Sequence, residues 1–312
     1  MAGAHASDPD RWAPAALRRL FRERGFVTRR SLGQHLLLDP RLLHAIVDTG
    51  GLEPGDLVLE VGTGPGMLTR LLLDRGAEVV GIELDPNARA LLTELIGAHE
   101  RLHVVAGDVL AGPEGLHPEL LARLETARDA GRPVRCIANF PYHVATPLLV
   151  RLLELGLVER RFPLVTIAGT LQREVAERLA APPGDRRMGP ASILLQALAE
   201  IEIVRRVPPG AFWPPPKVHS AVVRITARPP AERLAADAPR HWARFRRLVR
   251  GLYVFRRKTL RNALRRSVPD LAVEQALAAS GLPGGARVET LSPAQLATLA
   301  STEACSARLD AS

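Results

Sequence analysis

The chain is poor in cysteine and in long apolar runs. Its two cysteines, Cys136 and Cys305, lie too far apart in sequence to suggest a metal-binding knuckle, and we interpret both as small hydrophobes. We therefore predict no metal site. No run of about 18 apolar residues is present, which argues against a membrane-spanning helix. The first residues, MAGAHASDPDRWAPAALRR, mix charges and lack the apolar segment of a signal peptide, so we expect a cytoplasmic protein.

Acidic residues are outnumbered by basic ones, and one segment in the C-terminal part of the chain has none. The 312 residues include 42 Lys and Arg against 33 Asp and Glu, a net charge of +9, and the sequence pI is about 10.8. From Arg240 to Arg266 (RHWARFRRLVRGLYVFRRKTLRNALRR) there is no acidic residue. Clustered arginine neutralises phosphates and releases counterions, so this segment predicts a polyanionic partner. The alternative is that the arginine content reflects genome composition.

What the sequence does contain is a regular alternation of strands and helices. With 46% hydrophobic residues and a mean hydropathy near zero, the chain fits a globular protein with a sizeable core. The predicted strands are 56–61, 77–84, 102–106, 134–138, 162–168, 200–207 and 220–226, and the predicted helices are 40–49, 66–75, 86–97, 147–155 and 171–179. This alternation is typical of a parallel, doubly wound, Rossmann-like α/β sheet.

The C-terminal part of the chain has a different character. From about Pro229 only helical periodicity is found, with breaks at Pro239, Pro269 and Gly281–Gly285. We therefore predict an α/β domain over residues 1–228, of which 1–28 form an extension without a predicted role. A small all-α domain follows over 229–312. The sequence gives no sign of an internal repeat or of an oligomer, so a monomer is expected.

A glycine-rich turn follows the first predicted strand and opens a helix. It reads EVGTGPG, Glu60–Gly66, at the position where open α/β sheets bind ligands. Its glycine spacing differs from the G-x-G-x-x-G of dinucleotide sites. We expect the acid at its start, Glu60, to face the cavity, where a carboxylate repels a pyrophosphate but suits a sulfonium and an ammonium group. The pattern therefore favours S-adenosylmethionine.

Two further acids come at the ends of the next two strands. Glu83 closes the second strand about 20 residues after the glycine turn, where a carboxylate can accept hydrogen bonds from both ribose hydroxyls. Asp108 follows the third strand in AGDVL and can accept from an adenine amine. Alternatively, Gly62–Gly66 is only a tight turn and both acids are helix N-caps. The occurrence of all three features in order, at successive strand ends, favours the cofactor site.

The motif Asn139-Phe140-Pro141-Tyr142 follows the fourth predicted strand at the same edge of the sheet. An exocyclic base amine is a poor nucleophile, because its lone pair is delocalised into the ring. Two acceptors, the Asn139 side-chain oxygen and the Pro141 carbonyl, can favour the pyramidal nitrogen of the transition state. Tyr142 can stack on a flipped base, an interaction worth about 1–3 kcal/mol. We predict these three residues to be catalytic; the alternative is a structural turn that buries the tyrosine hydroxyl.

Together with other segments, these motifs resemble a known family. The chain is similar to the KsgA/RsmA-type ribosomal RNA adenine dimethyltransferases, which are relatives of the Erm resistance methyltransferases and of the eukaryotic dimethyladenosine transferases. The resemblance runs from about Arg30 to Leu299. Besides the glycine turn, it rests on SLGQHLLLD (31–39), GIELD (81–85), AGDVL (106–110), NFPYHVATPLL (139–149), LQREVAERLAAPPGD (171–185), FWPPPKVHSAVVR (212–224) and FRRKTLRNAL (255–264).

The resemblance implies an activity and a set of contacts. The implied reaction is S-adenosylmethionine-dependent dimethylation of N6 of two adjacent adenines near the 3′ end of small-subunit (16S) ribosomal RNA, late in subunit assembly. The implied cofactor contacts are Gln34, His35, Leu37, Gly62, Glu83, Asp108 and Asn139. Tyr142 matches the base-stacking aromatic. His35, Leu36 and Phe140 stand where Asn, Phe and Leu are usual, and the segment 110–133 is longer than usual, with a helix of uncertain role.

Basic residues in two of these segments are candidates for RNA contact. They are Lys217, Arg256, Arg257, Lys258 and Arg261. We interpret FRRKTLR as a helix with an apolar side from Phe255 and Leu260 and a basic side that faces ribosomal RNA. The alternatives are a solvated helix face and, for the lysine in PPPK, a surface charge.

Three other functions stay open from the sequence. The chain could be a ribosome-assembly factor that binds a 30S intermediate and whose catalysis is dispensable or lost. It could instead methylate large-subunit ribosomal RNA, as the resistance enzymes do, although FWPPPKVHSAVVR and FRRKTLRNAL favour the small-subunit branch. A nicotinamide oxidoreductase is disfavoured by the glycine spacing. None of these readings predicts a membrane partner.

Overall fold

The described part of the chain, residues 9–29 and 33–310 of a computed structural model, forms two compact units. The first comprises the described residues up to Leu152, Arg161–Glu174 and Glu202–Ile225. The second comprises Leu153–Arg160, Val175–Ile201 and the described residues from Thr226 on. The second unit thus includes segments that lie before residue 229, and the functional division at that position stays a prediction. Residues 30–32, where the resembling segments begin, lie outside the described part. Within that part, no helix has the length and apolar character needed to cross a membrane.

Within the described residues, seven strands form one sheet and two short strands form another. The strands are β1 Leu36–Leu37, β2 Leu57–Val61, β3 Glu78–Glu83, β4 Leu102–Ala106, β5 Val134–Asn139, β6 Leu164–Gln172, β7 Ala199–Val207, β8 Phe212–Trp213 and β9 Ser220–Ala227. The large sheet has the order β4-β3-β2-β5-β6-β9-β7, and β1 pairs with β8. Strands β4, β3, β2, β5 and β6 run parallel to one another. The doubly wound, Rossmann-like sheet is confirmed. Its strand order reverses between β2 and β5, the switch point where such sheets bind ligands.

Helices connect the strands and make up much of the second unit. They are α1 Pro14–Glu23, α2 Pro40–Thr49, α3 Met67–Asp74, α4 Pro86–Ile96, α5 Pro118–Asp129, α6 Ala145–Leu153, α7 Arg173–Leu179, α8 Pro190–Leu198, α9 Pro239–Val254, α10 Leu260–Ser267, α11 Val273–Ser280, α12 Pro293–Ala300 and α13 Glu303–Asp310. Local signals set several boundaries: Asp39 caps α2 and Asp85 caps α4, each followed by a proline at the first helical position. Helix α5, in the long segment 110–133, is the crossover between β4 and β5 and buries Leu120 and Leu124. Helix α8 has no counterpart among the predicted helices, because its continuous apolar run does not distinguish a helix from a strand.

The N-terminal segment, for which the sequence predicts no role, belongs to the hydrophobic core of the first unit. Four of its large side chains are at most 9% exposed: Trp12, Leu17, Phe21 and Phe26. The ring of Phe21 lies 5.4 Å from that of Trp213 in β8. The Arg24 guanidinium donates hydrogen bonds to both carboxylate oxygens of Glu94 in α4, at 2.6–3.1 Å. The described part of the extension is therefore packed against α4 and β8.

The arginine-rich helix α9 obtains acidic partners from distant parts of the second unit. Glu154, in a π-helical turn that follows α6, is 3% exposed. It accepts hydrogen bonds from the Trp242 indole at 3.0 Å and from Arg246 at 3.1 Å. Arg244 pairs with Asp310 at the end of α13. The acid-free stretch is therefore partly neutralised by tertiary contacts, and its free positive charge is smaller than its sequence indicates.

The prediction of a helix over FRRKTLR (255–261) is wrong. Helix α9 ends at Val254, residues 255–258 form a turn, and α10 begins only at Leu260. Thr259 has extended backbone angles and forms a β-bridge with Arg287, and the Leu260 N–H donates to the Ala286 carbonyl at 2.7 Å. These partners lie more than 20 residues away, so the helical period of the sequence does not indicate the break.

Candidate active site

One cleft in the first unit opens at the carboxyl ends of β2, β3, β4 and β5. Its volume is about 740 Å³, which includes the solvent at its mouth. The predicted residues on its wall are Gln34, His35, Gly62, Glu83, Asp108, Asn139, Pro141 and Tyr142. Leu37 is 1% exposed and does not line the cleft, whereas its neighbour Leu36 does. The fold thus brings most of the predicted cofactor and catalytic residues together, and their individual roles stay predictions.

The glycine turn lets two other segments approach closely. Gly62 and Gly64 have positive φ angles of 73° and 54°, which favour glycine. A Cβ on Gly62 would lie 3.1 Å from Pro141 Cγ, and one on Gly64 would lie 3.3 Å from a methyl carbon of Leu36. The turn therefore shapes the cleft by keeping side chains out of the space between β2 and the Asn-Phe-Pro-Tyr motif.

Glu83 is held at the floor of the cleft by two backbone donors. Its carboxylate oxygens accept hydrogen bonds from the N–H groups of Gly64 and Asp85, each at 2.8 Å. Burial raises the pKa of this carboxyl, and the two N–H donors oppose that shift. Each oxygen accepts one of these bonds and has further acceptor capacity. Glu83 can therefore accept two hydroxyl groups without losing its backbone partners.

The second predicted acid, Asp108, is fixed by a turn. Its Oδ1 accepts a hydrogen bond from the Leu110 N–H at 2.9 Å, and no helix begins there. The cap of α4 is Asp85, two residues after Glu83. The alternative that Glu83 and Asp108 are helix N-caps is therefore wrong. Both line the cleft at the ends of neighbouring strands, where carboxylates can bind polar groups of a ligand.

Glu60 does not face the cavity as expected from the sequence. Its side chain is 1% exposed, lies away from the cleft wall and accepts a hydrogen bond from the Thr69 hydroxyl of α3 at 2.6 Å. Burial raises its pKa to about 8, although the Thr69 hydrogen bond opposes this shift, and the nearby Glu83 charge adds to it. At neutral pH the Glu60 carboxyl is thus mostly protonated and cannot attract a cationic ligand by direct contact.

We expect Glu60 to make stability depend on pH. The folded pKa of about 8 lies above the unfolded value of 4.5. The contribution of this group is therefore fully present below pH 4.5 and is lost as the pH rises to 8, at about 1.4 kcal/mol per pH unit. Glu60→Gln has no proton to lose and can still accept from Thr69. In urea unfolding between pH 5 and 9, the variant should gain stability over the wild type up to about pH 8; a constant difference would contradict the buried titration.

Gln34 ties two parts of the cleft wall together. Its side-chain oxygen accepts from the Arg29 N–H at 2.7 Å, and its Nε2 donates to Asp85 at 2.9 Å. The Arg29 guanidinium also lies 3.8 Å from the Asp85 carboxylate. The Gln34 amide is therefore engaged with the protein itself, and it holds the segment before β1 against the end of β3.

The Asn139 and Tyr142 side chains both form hydrogen bonds with other residues of the protein. Asn139 Nδ2 donates to the His35 carbonyl at 2.8 Å, and its Oδ1 accepts from the Thr170 hydroxyl. The Tyr142 hydroxyl lies 2.7 Å from the Ser220 hydroxyl, and burial raises its pKa. Tyr142 nevertheless lines the cleft, and its stacking on a base stays a prediction.

His35 also lines the cleft, and its ring lies close to that of Tyr142. Its centroid lies 5.9 Å from that of Tyr142, with the two planes 30° apart. His35 Nδ1 lies 2.8 Å from the Pro214 carbonyl oxygen. Because a carbonyl can only accept, Nδ1 is the donor of this contact. Asp85, Thr170 and Ser220 are absent from the predicted site, because their links to the motifs depend on strand pairing and loop packing.

The candidate RNA-binding residues divide between the two units. Lys217 is exposed in the first unit, between β8 and β9. Arg256, Arg257 and Lys258 are exposed in the turn after α9 in the second unit. Arg261 donates to the Glu274 carboxylate at 2.8 and 3.0 Å, which reduces its free charge. Arg261 is therefore the weaker candidate for phosphate contact, and the RNA-binding role of all five residues stays a prediction.

Solved structures with this fold identify its class. A crystal structure of a dimethyladenosine transferase from Plasmodium falciparum matches with a TM-score of 0.65 and 23% identity, over 85% of this chain and 96% of that one. The 23S rRNA methyltransferase ErmE matches with a TM-score of 0.59 and 28% identity, over 88% and 99%. The sheet with its cleft at the switch point is thus that of a Rossmann-like methyltransferase.

Sequence comparison narrows the class further. The chain belongs to the ribosomal RNA adenine dimethylase family, whose model matches residues 25–304. Ribosomal RNA small subunit methyltransferase A of Anaeromyxobacter dehalogenans strain 2CP-C is 43% identical, over 87% of this chain and 92% of the relative. The protein of the same name from Phenylobacterium zucineum strain HLK1 is 37% identical, over 91% of each. Helix α1 lies before the matched region.

Proposed function

We propose that this methyltransferase dimethylates N6 of two adjacent adenines near the 3′ end of small-subunit (16S) ribosomal RNA, with S-adenosylmethionine as methyl donor. Its substrate would be a late 30S assembly intermediate. The observation that carries the proposal is the position of Asn139, Pro141 and Tyr142 on the wall of the cleft that also holds Glu83. The names of the relatives, ribosomal RNA small subunit methyltransferase A, support the substrate.

The residues of the cleft fit this cofactor. When bound, S-adenosylmethionine supplies an electrophilic methyl group on a positively charged sulfur. Glu83, already held by two N–H donors, would accept both ribose hydroxyls. Asp108, with one oxygen held by Leu110, would accept from the adenine amine. The glycine turn keeps the space beside β2 free of side chains. Glu60, which does not line the cleft, is not needed as an anionic partner for the sulfonium.

The motif that begins at the last residue of β5 would activate the substrate amine. The Asn139 oxygen and the Pro141 carbonyl would accept from the amine hydrogens, which favours a pyramidal nitrogen with a localised lone pair. Tyr142 would stack on the target base, held in place by its hydroxyl contact with Ser220. After transfer, the nitrogen is cationic and its proton is acidic. The proton can leave to solvent at the open mouth of the cleft, so no strong general base is needed.

One experiment distinguishes this function from its alternatives. Purified protein is incubated with labelled S-adenosylmethionine and, separately, with small subunits from a dimethylation-deficient strain, naked small-subunit rRNA, and large-subunit rRNA. Label in paired N6-dimethyladenines of the small subunit is the expected result. Label only in large-subunit rRNA would place the chain with the resistance enzymes. Cofactor binding without any transfer would favour an assembly factor.

We expect the exposed turn after α9 to contribute to rRNA binding. Changing Arg256 and Arg257 to Ala should weaken binding. It should also make the negative slope of log K against log salt shallower by about 1 to 2, because a protein with fewer phosphate contacts releases fewer counterions when it binds. The control is the double change of Arg18 and Arg22 to Ala on the exposed side of α1, which removes the same charge. Filter binding between roughly 50 and 300 mM salt measures the slope for both double variants. Equal slopes would place the RNA surface elsewhere.

A further inference from the structure

Thr170 lies beside Asn139 in the pairing of two parallel strands. Asn139, the last residue of β5, is opposite Thr170 of β6, and the Thr170 hydroxyl donates to the Asn139 side-chain oxygen. Thr170 is 0% exposed and does not line the cleft. Water therefore does not compete for this contact, and the hydroxyl faces the motif from inside the protein.

The contacts of the Asn139 amide are compatible with only one of its two orientations. Its Nδ2 donates to the His35 carbonyl at 2.8 Å, and a carbonyl can only accept. A flipped amide would bring two acceptor oxygens together at His35. With Nδ2 at His35, the side-chain oxygen must face Thr170, and because that oxygen can only accept, the Thr170 hydroxyl must donate. The orientation of the amide is therefore decided by contacts within the protein, before any substrate binds.

The neighbouring residue shows how closely β6 approaches the motif. A Cβ on Gly169 would overlap the Ala138 carbonyl oxygen and would lie 2.7 Å from the ring of Phe140. Glycine at this position leaves room for the buried Phe140 ring, which is 2% exposed. The Thr170 side chain is thus carried on a strand segment with little freedom to move relative to Asn139.

We propose that Thr170 is a positioning residue for methyl transfer: its hydroxyl occupies one lone pair of the Asn139 oxygen and leaves the other for the substrate amine. The inference rests on the proposed function of Asn139. An amide oxygen has two lone pairs, so a donor on the protein side restricts where the second one can point. Without this donor the oxygen loses a fixed partner, and the acceptor that acts on the amine is no longer held in place.

The test compares variants that differ only in the hydroxyl. Thr170→Val removes the hydroxyl at nearly constant volume, and Thr170→Ser keeps it. Thr166→Val is the matched control, because Thr166 is a buried residue of the same strand that is paired with Arg135 instead. For each variant, kcat and KM are measured with undermethylated small subunits, together with Kd for S-adenosylmethionine and Tm.

We expect Thr170→Val to lower kcat about tenfold, while KM and Kd stay within about twofold. Thr170→Ser and Thr166→Val should stay near the wild-type kcat. If Thr170→Val does not fold, Thr170→Ala against Thr170→Ser gives the same comparison. An unchanged kcat without the hydroxyl, or an equal loss in kcat and cofactor affinity, would overturn the role of Thr170 and leave the proposed function intact. A wild-type protein that methylates no rRNA would overturn both.

Discussion

Asn139→Ala is expected to lower kcat for methyl transfer about 100- to 1,000-fold, while the affinity for S-adenosylmethionine changes little. The reason is that the Asn139 oxygen would act on the amine only as the nitrogen becomes pyramidal, so its loss affects the transition state more than the bound cofactor. Asn139→Ala also removes the hydrogen bond that the amide donates to the His35 carbonyl. Single-turnover rates and calorimetric Kd values measure the two effects separately.

A second asparagine provides the control for this variant. Asn262 is exposed on α10 in the second unit and is absent from the cleft wall, so Asn262→Ala should leave both rate and Kd unchanged. Equal losses of rate and cofactor affinity in Asn139→Ala would mean that Asn139 serves mainly to bind the cofactor. The role proposed for its oxygen, and with it that of Thr170, would then be wrong.

Glu83→Gln should weaken cofactor binding about 100-fold, because hydrogen bonds to a charged group are worth about 1.5–3 kcal/mol each. The carboxylate accepts from the N–H groups of Gly64 and Asp85 at 2.8 Å. A glutamine amide must turn its NH2 group toward one of these donors, and it offers the ligand one acceptor fewer. The change therefore affects both the ribose contacts and the shape of the glycine turn.

The choice of ligand separates two explanations for this loss. S-adenosylmethionine and S-adenosylhomocysteine share the ribose but differ in the charge on sulfur. If Glu83 binds the ribose, calorimetry should show equal losses of affinity for the two ligands. A much larger loss for S-adenosylmethionine would mean that Glu83 acts on the sulfonium instead. Glu100→Gln, at an exposed position, is the control and should bind both ligands as the wild type does.

Most of the cleft wall could be predicted from the sequence because its signals are local. Each of three strand ends can be recognised from a few residues. One is followed by the glycine turn, one ends in Glu83, and one ends in Asn139. Parallel strands place all their carboxyl ends at one edge of the sheet, so local signals in chain order are enough to collect these residues at one site. The orientation of Glu60 could not be predicted in this way. Strand β2 is buried on both faces, so the polarity of its residues does not tell which face lines the cleft.

The sequence by itself therefore determined the class of fold, the edge of the sheet that carries the site, and the chemical groups that the site contains. The tertiary structure alone decided the partners of those groups. Thr170 meets Asn139 across 31 positions of the chain, and the His35 carbonyl meets it across 104. Likewise, Glu154 binds Trp242 across 88 positions of the chain. It also binds Arg246, whose own segment contains no acidic residue. Backbone preferences and caps act within a few residues, whereas strand register and side-chain packing join residues that no local pattern connects.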